Sequence, residues 1–147
     1  MSESRKWQDG EFTISTDKNL LQVDEIHKFL SEESYWAKER TIEQTRTAIE
    51  NSLCFGVYAN EKQIGFARVI SDYATFAYIG DVYITKEFRG RGLSKHLMKE
   101  MLDDPALQNL RRWILATFDA HTLYEQFGFH PLKYPERWLE RPAPNAY

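Results

Sequence analysis

Apolar side chains fall along this 147-residue chain with two different periods, and the changes of period mark its elements. Phe12 and Ile14 alternate with polar neighbours as in a short strand. Leu20, Val23, Ile26, Phe29 and Leu30 instead recur at three- and four-residue spacing, which predicts an amphipathic helix over 19–33. Thr41 followed by Gln44 is a capping-box signature and opens a second helix, to about Asn51. Two apolar runs, LCFGVYA and QIGFARVI, are separated only by Asn60, Glu61 and Lys62 and predict a β-hairpin. A third run, TFAYIGDVYIT, follows directly and extends the hairpin to an antiparallel meander. Gly80 lies mid-run, where it marks a bulge or a close backbone approach. Leu93, Leu97, Met98, Met101 and Leu102 then form the stripe of a helix ending before Pro105, and WILATF reads as a buried strand. Because that helix crosses from the third run to WILATF, those two strands are expected to be parallel. AHTLYEQF predicts a short helix, capped by Asp119, with Leu123 and Phe127 on its apolar side and Gly128 as its stop. RWLE reads as a closing strand, and residues 1–9 and the tail PAPNAY as loose ends. The fold class is α/β (α+β): one mixed sheet with helices.

Composition narrows the function classes. The length suits a single domain, 1–147, around one core. With 42% hydrophobic and 28% charged residues the chain is of ordinary globular type, and its net charge of −3 speaks against a general nucleic-acid binder. The lone Cys54, read as a buried apolar residue, excludes an intrachain disulfide and a cysteine-cluster zinc site. MSESRKWQDG lacks an apolar signal core, and no apolar run is long enough to span a bilayer. The expectation is a cytoplasmic protein without membrane contact.

The segment TKEFRGRGLSKHLM, residues 85–98, breaks a local rule. A helix start carries unpaired N–H groups and the positive end of the macrodipole, so it favours acids. Between Lys86 and Lys99 the chain instead places Lys86, Arg89, Arg91, Lys95 and Lys99 against the single acid Glu87. Two glycines ahead of a helix, after a strand, describe an anion cradle, and phosphate is the expected guest. A Walker loop needs a Gly-Lys pair at a spacing this chain does not supply, and the dinucleotide fingerprint needs glycine where Lys95 stands. The pattern [Q/R]-x-x-G-x-[G/A] fits from Arg89 to Ser94, apart from Ser94 itself.

With the preceding DVYI and the later LYEQFGF, this pattern resembles the GNAT superfamily of acyl-CoA-dependent N-acetyltransferases, over roughly residues 11–141. The resemblance implies a mostly antiparallel mixed sheet, helices on both faces, and a splay between two parallel strands. It implies acetyl-CoA as co-substrate and no metal. The diphosphate would lie on backbone N–H groups of Arg89, Gly90, Arg91, Gly92, Leu93, Ser94 and Lys95. The pantetheine arm would pair with Val82, Tyr83 and Ile84 in the splay, which a bulge near Gly80 would help to open. Ser94 in place of Gly or Ala offers a hydroxyl that can hydrogen-bond an oxyanion. The 3′-phosphate has Arg91, Lys95 or Lys99 to draw on.

Acetyl transfer from a thioester to an amine needs a neutral amine, a stabilised tetrahedral oxyanion and a proton for the departing thiolate. By resemblance Tyr124 stands where relatives place the acid, and a tyrosine is protonated at neutral pH. Asp81 lies beside the pantetheine site in an otherwise apolar run, where burial would raise its pKa towards that of a useful base, acting directly or through water. Its alternative is a structural acid at the splay. His121 is the rival base. The oxyanion donor implied by the resemblance is backbone N–H near Val82. The acceptor is expected to enter past SYWAKER, with Tyr35 and Trp36 as substrate-binding residues and Phe76 and Tyr78 at the same mouth. A small-molecule amine is the expected partner, ahead of a protein amine, and nucleic acid is not; a homodimer stays open. The alternatives of another class are a non-catalytic acyl-CoA sensor and an RNA-binding domain.

Overall fold

The computed structural model describes residues 4–146. The elements are β1 (Lys6–Asp9), β2 (Phe12–Ser15), α1 (Val23–Glu32), α2 (Ile42–Glu50), β3 (Leu53–Ala59), β4 (Lys62–Ser71), β5 (Phe76–Ile84), α3 (Leu93–Asp103), β6 (Arg112–Leu115) and α4 (His121–Glu125). Six strands form one sheet in chain order. Every neighbouring pair is antiparallel except the last, β5 with β6, which is parallel because α3 carries the chain back across the sheet.

The two faces of the sheet are covered by different helices. On one face Ile14, Phe55, Ala67, Val69, Ile79 and Ile84 pack against Leu93, Leu97, Met98 and Met101 of α3 and Tyr124 of α4. On the other, Cys54, Phe66 and Tyr83 pack against Ile26, Phe29 and Leu30 of α1 and Ile49 of α2, with Tyr83 stacked on Phe29 at 3.8 Å between ring centres. Each such buried large side chain stabilises the fold by about 1.5–3 kcal/mol relative to exposure.

The bulge expected at Gly80 is present, and its details position the site. Arg68 pairs with Gly80 and Phe66 with Tyr83, so Ala67 of β4 faces both Asp81 and Val82 of β5. The strained residue is Asp81 rather than the glycine: its φ is +55°. The extra residue resets the alternation. Ala77 and Ile79 belong to the α3 face and so do Val82 and Ile84, while Asp81 shares the α1 face with Tyr83.

Several sequence expectations are corrected. Helix 19–33 is shorter: Lys18–Leu20 is a 3-10 turn and Leu20 is exposed. Gln22 ends that turn by bonding Gln63 through its backbone N–H. The supposedly loose Lys6–Asp9 is a strand, held by four residue pairs to β2 and by Trp7 stacking on His96; residues 1–3 and Tyr147 lie outside the described residues. RWLE forms no strand. Pro135, Pro142 and Pro144 flank it, each removing a backbone donor, and Trp138 lies flat under the Arg112 guanidinium, 4.8 Å from its ring centre, instead of extending along β6. Asp119 does not cap α4. Ala120 is the N-cap residue, and the Thr117 hydroxyl accepts its N–H. The capping box of Thr41 and Gln44 is complete, and Gly128 ends the α4 segment at φ +90°. Among the described residues no helix is long and apolar enough to cross a membrane.

Candidate active site

The loop between β5 and α3 is built for backbone exposure. After a 3-10 turn over Lys86–Phe88, the Arg89 Nε donates to the carbonyl of Ile84 at 2.8 Å and ties the loop to the end of β5. Gly90 and Gly92 follow at φ +79° and +77°, a region that other residues enter at a cost of about 1–2 kcal/mol. Gly92 is the N-cap of α3. It supplies no capping side chain, and the first turn holds no acid. The first-turn N–H groups are therefore left to whatever sits before the helix. A β-carbon built on either glycine would meet nothing within 4 Å, so an incoming oxygen has room to reach the backbone. Of the nearby cations, Lys99 pairs with Asp103 and Arg91 lies over the Phe88 ring, while Lys95 is exposed at the first turn.

Ahead of this loop the sheet opens between β5 and β6. β5 and β6 pair only from Phe76–Arg112 to Ile79–Leu115. Beyond that point β5 continues through Val82, Tyr83 and Ile84, bonded to β4 on one edge only, while the chain after Leu115 turns away. The resulting cleft, of ≈ 690 Å³, is lined by Ile79, Gly80, Asp81 and Val82 on one side and by Leu115 to Ala120 and Tyr124 on the other. An unpaired strand edge suits an amide-bearing arm, and an uncapped helix start suits a diphosphate.

One end of the cleft is roofed by the α1–α2 link. Tyr35 and Trp36 pack edge to face at 5.0 Å, and the Tyr35 hydroxyl accepts the N–H of Phe118, bridging the cleft to the turn after β6. Both line the cleft, as does Tyr78. Phe76 lies outside its lining, at the far end of the paired stretch.

Asp81 is the hub of this end. Its Oδ1 accepts from Trp36 Nε1 at 2.9 Å, and its Oδ2 accepts from both Arg40 at 2.6 Å and Arg68 Nε at 2.8 Å. Arg68 in turn donates to the Ser52 hydroxyl at 3.1 Å. Burial pushes the Asp81 carboxyl up, but the hydrogen bonds and charges of Arg40 and Arg68 outweigh it and hold the group below the usual carboxylate range. The expected rise towards a useful base is thus reversed, because each guanidinium stabilises the ionised form. Arg40 and Arg68 were not among the sequence candidates. The signal was present, as a lone arginine inside the apolar run QIGFARVI facing a lone aspartate in the next strand.

Tyr124 projects from α4 into the cleft, 8% exposed, its ring edge-on to Phe129. Burial foremost, then the neighbouring Tyr35 phenol and the charge of Asp119, push its phenol up to about 12, so it stays protonated across the neutral range. His121, three residues earlier, is exposed and outside the cleft.

A sheet splayed after a bulge, with an uncapped glycine loop at the end of the splayed strand, suits a ligand that has an amide-bearing arm and a diphosphate. Residues 23–129 match the acetyltransferase (GNAT) family, and this chain belongs to it. A candidate acetyltransferase of Gibberella zeae is 32% identical over 146 residues, covering 84% of this chain and 81% of its own. A crystal structure of a Xanthomonas campestris pv. campestris protein, described as a GNAT-family acetyltransferase, superposes with a TM-score of 0.89 at 49% identity, over 92% of this chain and 96% of that one. A Clostridium acetobutylicum acetyltransferase solved with acetyl-CoA shares the fold, with a TM-score of 0.56 at 17% identity over 95% of each chain.

Proposed function

We propose that this acetyltransferase moves the acetyl group of acetyl-CoA directly to the primary amine of a small molecule. The observation that carries the reading is the unpaired edge of β5: past Ile79 it has no β6 partner, and from the cleft holding Tyr124 the strand leads on to the glycine loop at the start of α3. Backbone N–H groups from Arg89 to Lys95 hold the diphosphate, with Arg91 and Lys95 adding charge. Val82, Tyr83 and Ile84 offer backbone groups to the pantetheine arm. Only their main chain serves, since the Tyr83 and Ile84 side chains are packed on opposite faces of the sheet.

The neutral amine attacks the thioester carbonyl carbon, forming the C–N bond and a tetrahedral oxyanion that the backbone N–H near Val82 stabilises. As the C–S bond breaks, Tyr124 gives its proton to the thiolate. The ammonium proton of the new amide nitrogen leaves through water to restore the phenol. Asp81, kept ionised, is a weak base; it acts as a positioning residue that fixes Trp36 and Arg40 at the acceptor mouth, and water takes the amine proton.

Calorimetry with acetyl-CoA, followed by free-thiol release on addition of primary amines, tests the reading. Saturable binding with amine-dependent release is expected. Binding without any release would make the protein a sensor of acyl-CoA, and no binding would overturn the assignment of the loop.

A further inference from the structure

We infer that the acceptor amine carries a carboxylate, received by Arg40 at the mouth of the cleft. This rests on the transfer reading above and names the substrate class of the same site. The Asp81 cluster is unbalanced in charge. Two guanidiniums share one carboxylate, both through the single oxygen Oδ2, and the remaining contacts are to neutral groups, the Trp36 indole and the Ser52 hydroxyl. Among the described residues neither arginine has a second acid within ion-pair distance. One positive charge is left over on the wall of the cleft. The side chains of Arg40 and Arg68 are only 21% and 11% exposed, so water and salt screen that excess poorly.

The opposite wall has the opposite sign. Asp119 lines the cleft, is exposed, and does not cap α4, which starts at Ala120 without a side-chain cap. It is close enough to Tyr124 for its charge to act on the phenol. The cleft is therefore polar along its length, negative beside the proposed proton donor and positive beneath Tyr35 and Trp36. An ammonium drawn to Asp119 lies where the thioester is attacked, and a carboxylate on the same molecule meets Arg40, whose planar fork suits a carboxylate. A plain alkylamine leaves the guanidinium excess uncompensated, and a polyamine is repelled by it. The rings of Tyr35, Trp36 and Phe118 take an apolar side chain that branches off beside the two charges.

The test is a set of matched acceptors: phenylalanine, leucine and glutamate, each with its primary α-amide and its decarboxylated amine, assayed by thiol release from acetyl-CoA. The α-carboxylate compounds should exceed their partners at least tenfold in kcat/KM, chiefly through KM, although the amides have more neutral amine at the same pH. Arg40→Gln should bring the ratio to within about twofold while the affinity for acetyl-CoA is unchanged. Preference of the unaltered enzyme for amides, plain amines or amino phosphates would overturn the inference, as would an undiminished ratio in Arg40→Gln. If no acceptor turns over, titration of N-acetylphenylalanine and N-acetylphenylalaninamide into the CoA-saturated protein decides it: tighter binding of the acid supports the inference, and equal binding overturns it. Failure to bind acetyl-CoA at all would instead sink the transfer reading.

Discussion

Two side chains in the cleft, Tyr124 and Asp81, are both buried and both perturbed, yet in opposite senses, and the difference separates chemistry from scaffolding. Among the described residues no cation lowers the Tyr124 phenol, so burial dominates and keeps its proton on. Tyr124→Phe should lower kcat by about 10²-fold, the usual scale of one general acid, while the affinity for acetyl-CoA, measured by calorimetry, changes less than about twofold. An equal loss of affinity would show that the phenol binds rather than protonates. Asp81 is ringed by donors and held ionised, and its worth is structural. Asn tolerates the same positive φ, so Asp81→Asn keeps the backbone but removes the charge and one of the two acceptor oxygens, leaving buried Arg68 and half-buried Arg40 without their counter-ion, which should cost about 3 kcal/mol at pH 7. The folded pKa lies below the unfolded one. The stabilisation is therefore full above the ordinary carboxylate pKa of about 3.9 and disappears as the pH falls through the folded value. Urea midpoints of the two proteins should differ at pH 7 and converge under acid; a constant difference would assign the loss to shape instead of charge.

At the level of elements, the start of α3 trades helix stability for an open end, and that trade can be reversed by one substitution. An acid at the N-cap accepts a first-turn N–H and suits the macrodipole, and Asp enters the left-handed region more readily than most residues. Gly92 stands at that position with open space above it and no competing cap. Gly92→Asp should then leave thermal stability within about 1 kcal/mol of the parent, the capping gain of about 1 kcal/mol offsetting the φ strain. The same carboxylate occupies the proposed diphosphate site with the wrong charge, so acetyl-CoA binding should vanish. Scanning calorimetry with and without acetyl-CoA reads both effects. A variant that folds as well as the parent and still binds acetyl-CoA would move the diphosphate elsewhere.

For the whole molecule, what was legible in the sequence was whatever depends on local period and spacing. The meander, the parallel crossover and the α3 loop could be read because alternation, helical stripes and a glycine pattern are short-range signals. The Asp81 cluster could be read only as far as a lone Arg68 and a lone Asp81 in neighbouring apolar runs, because the bulge that turns Asp81 to the opposite face, and the link that brings residues 36 and 40 to it, are not short-range signals. The failure at RWLE has the same root: an apolar-looking tetrapeptide becomes a strand only if an edge accepts it, and Trp138 is held by Arg112 instead. The sheet is consequently closed tightly over β1 to β5 and only half closed between β5 and β6, where four residue pairs hold the last strand. A ligand lying in that gap completes what the chain leaves open. At a concentration 100 times its dissociation constant, acetyl-CoA should add about 2.7 kcal/mol and raise the Tm by about 5–10 °C in a protein of this size. The added protection in hydrogen exchange should concentrate in Val82, Tyr83 and Ile84 and in the first turn of α3, with β1 to β3 little changed. Protection spread evenly over the sheet would mean that acetyl-CoA stabilises the fold without lying along the free edge of β5.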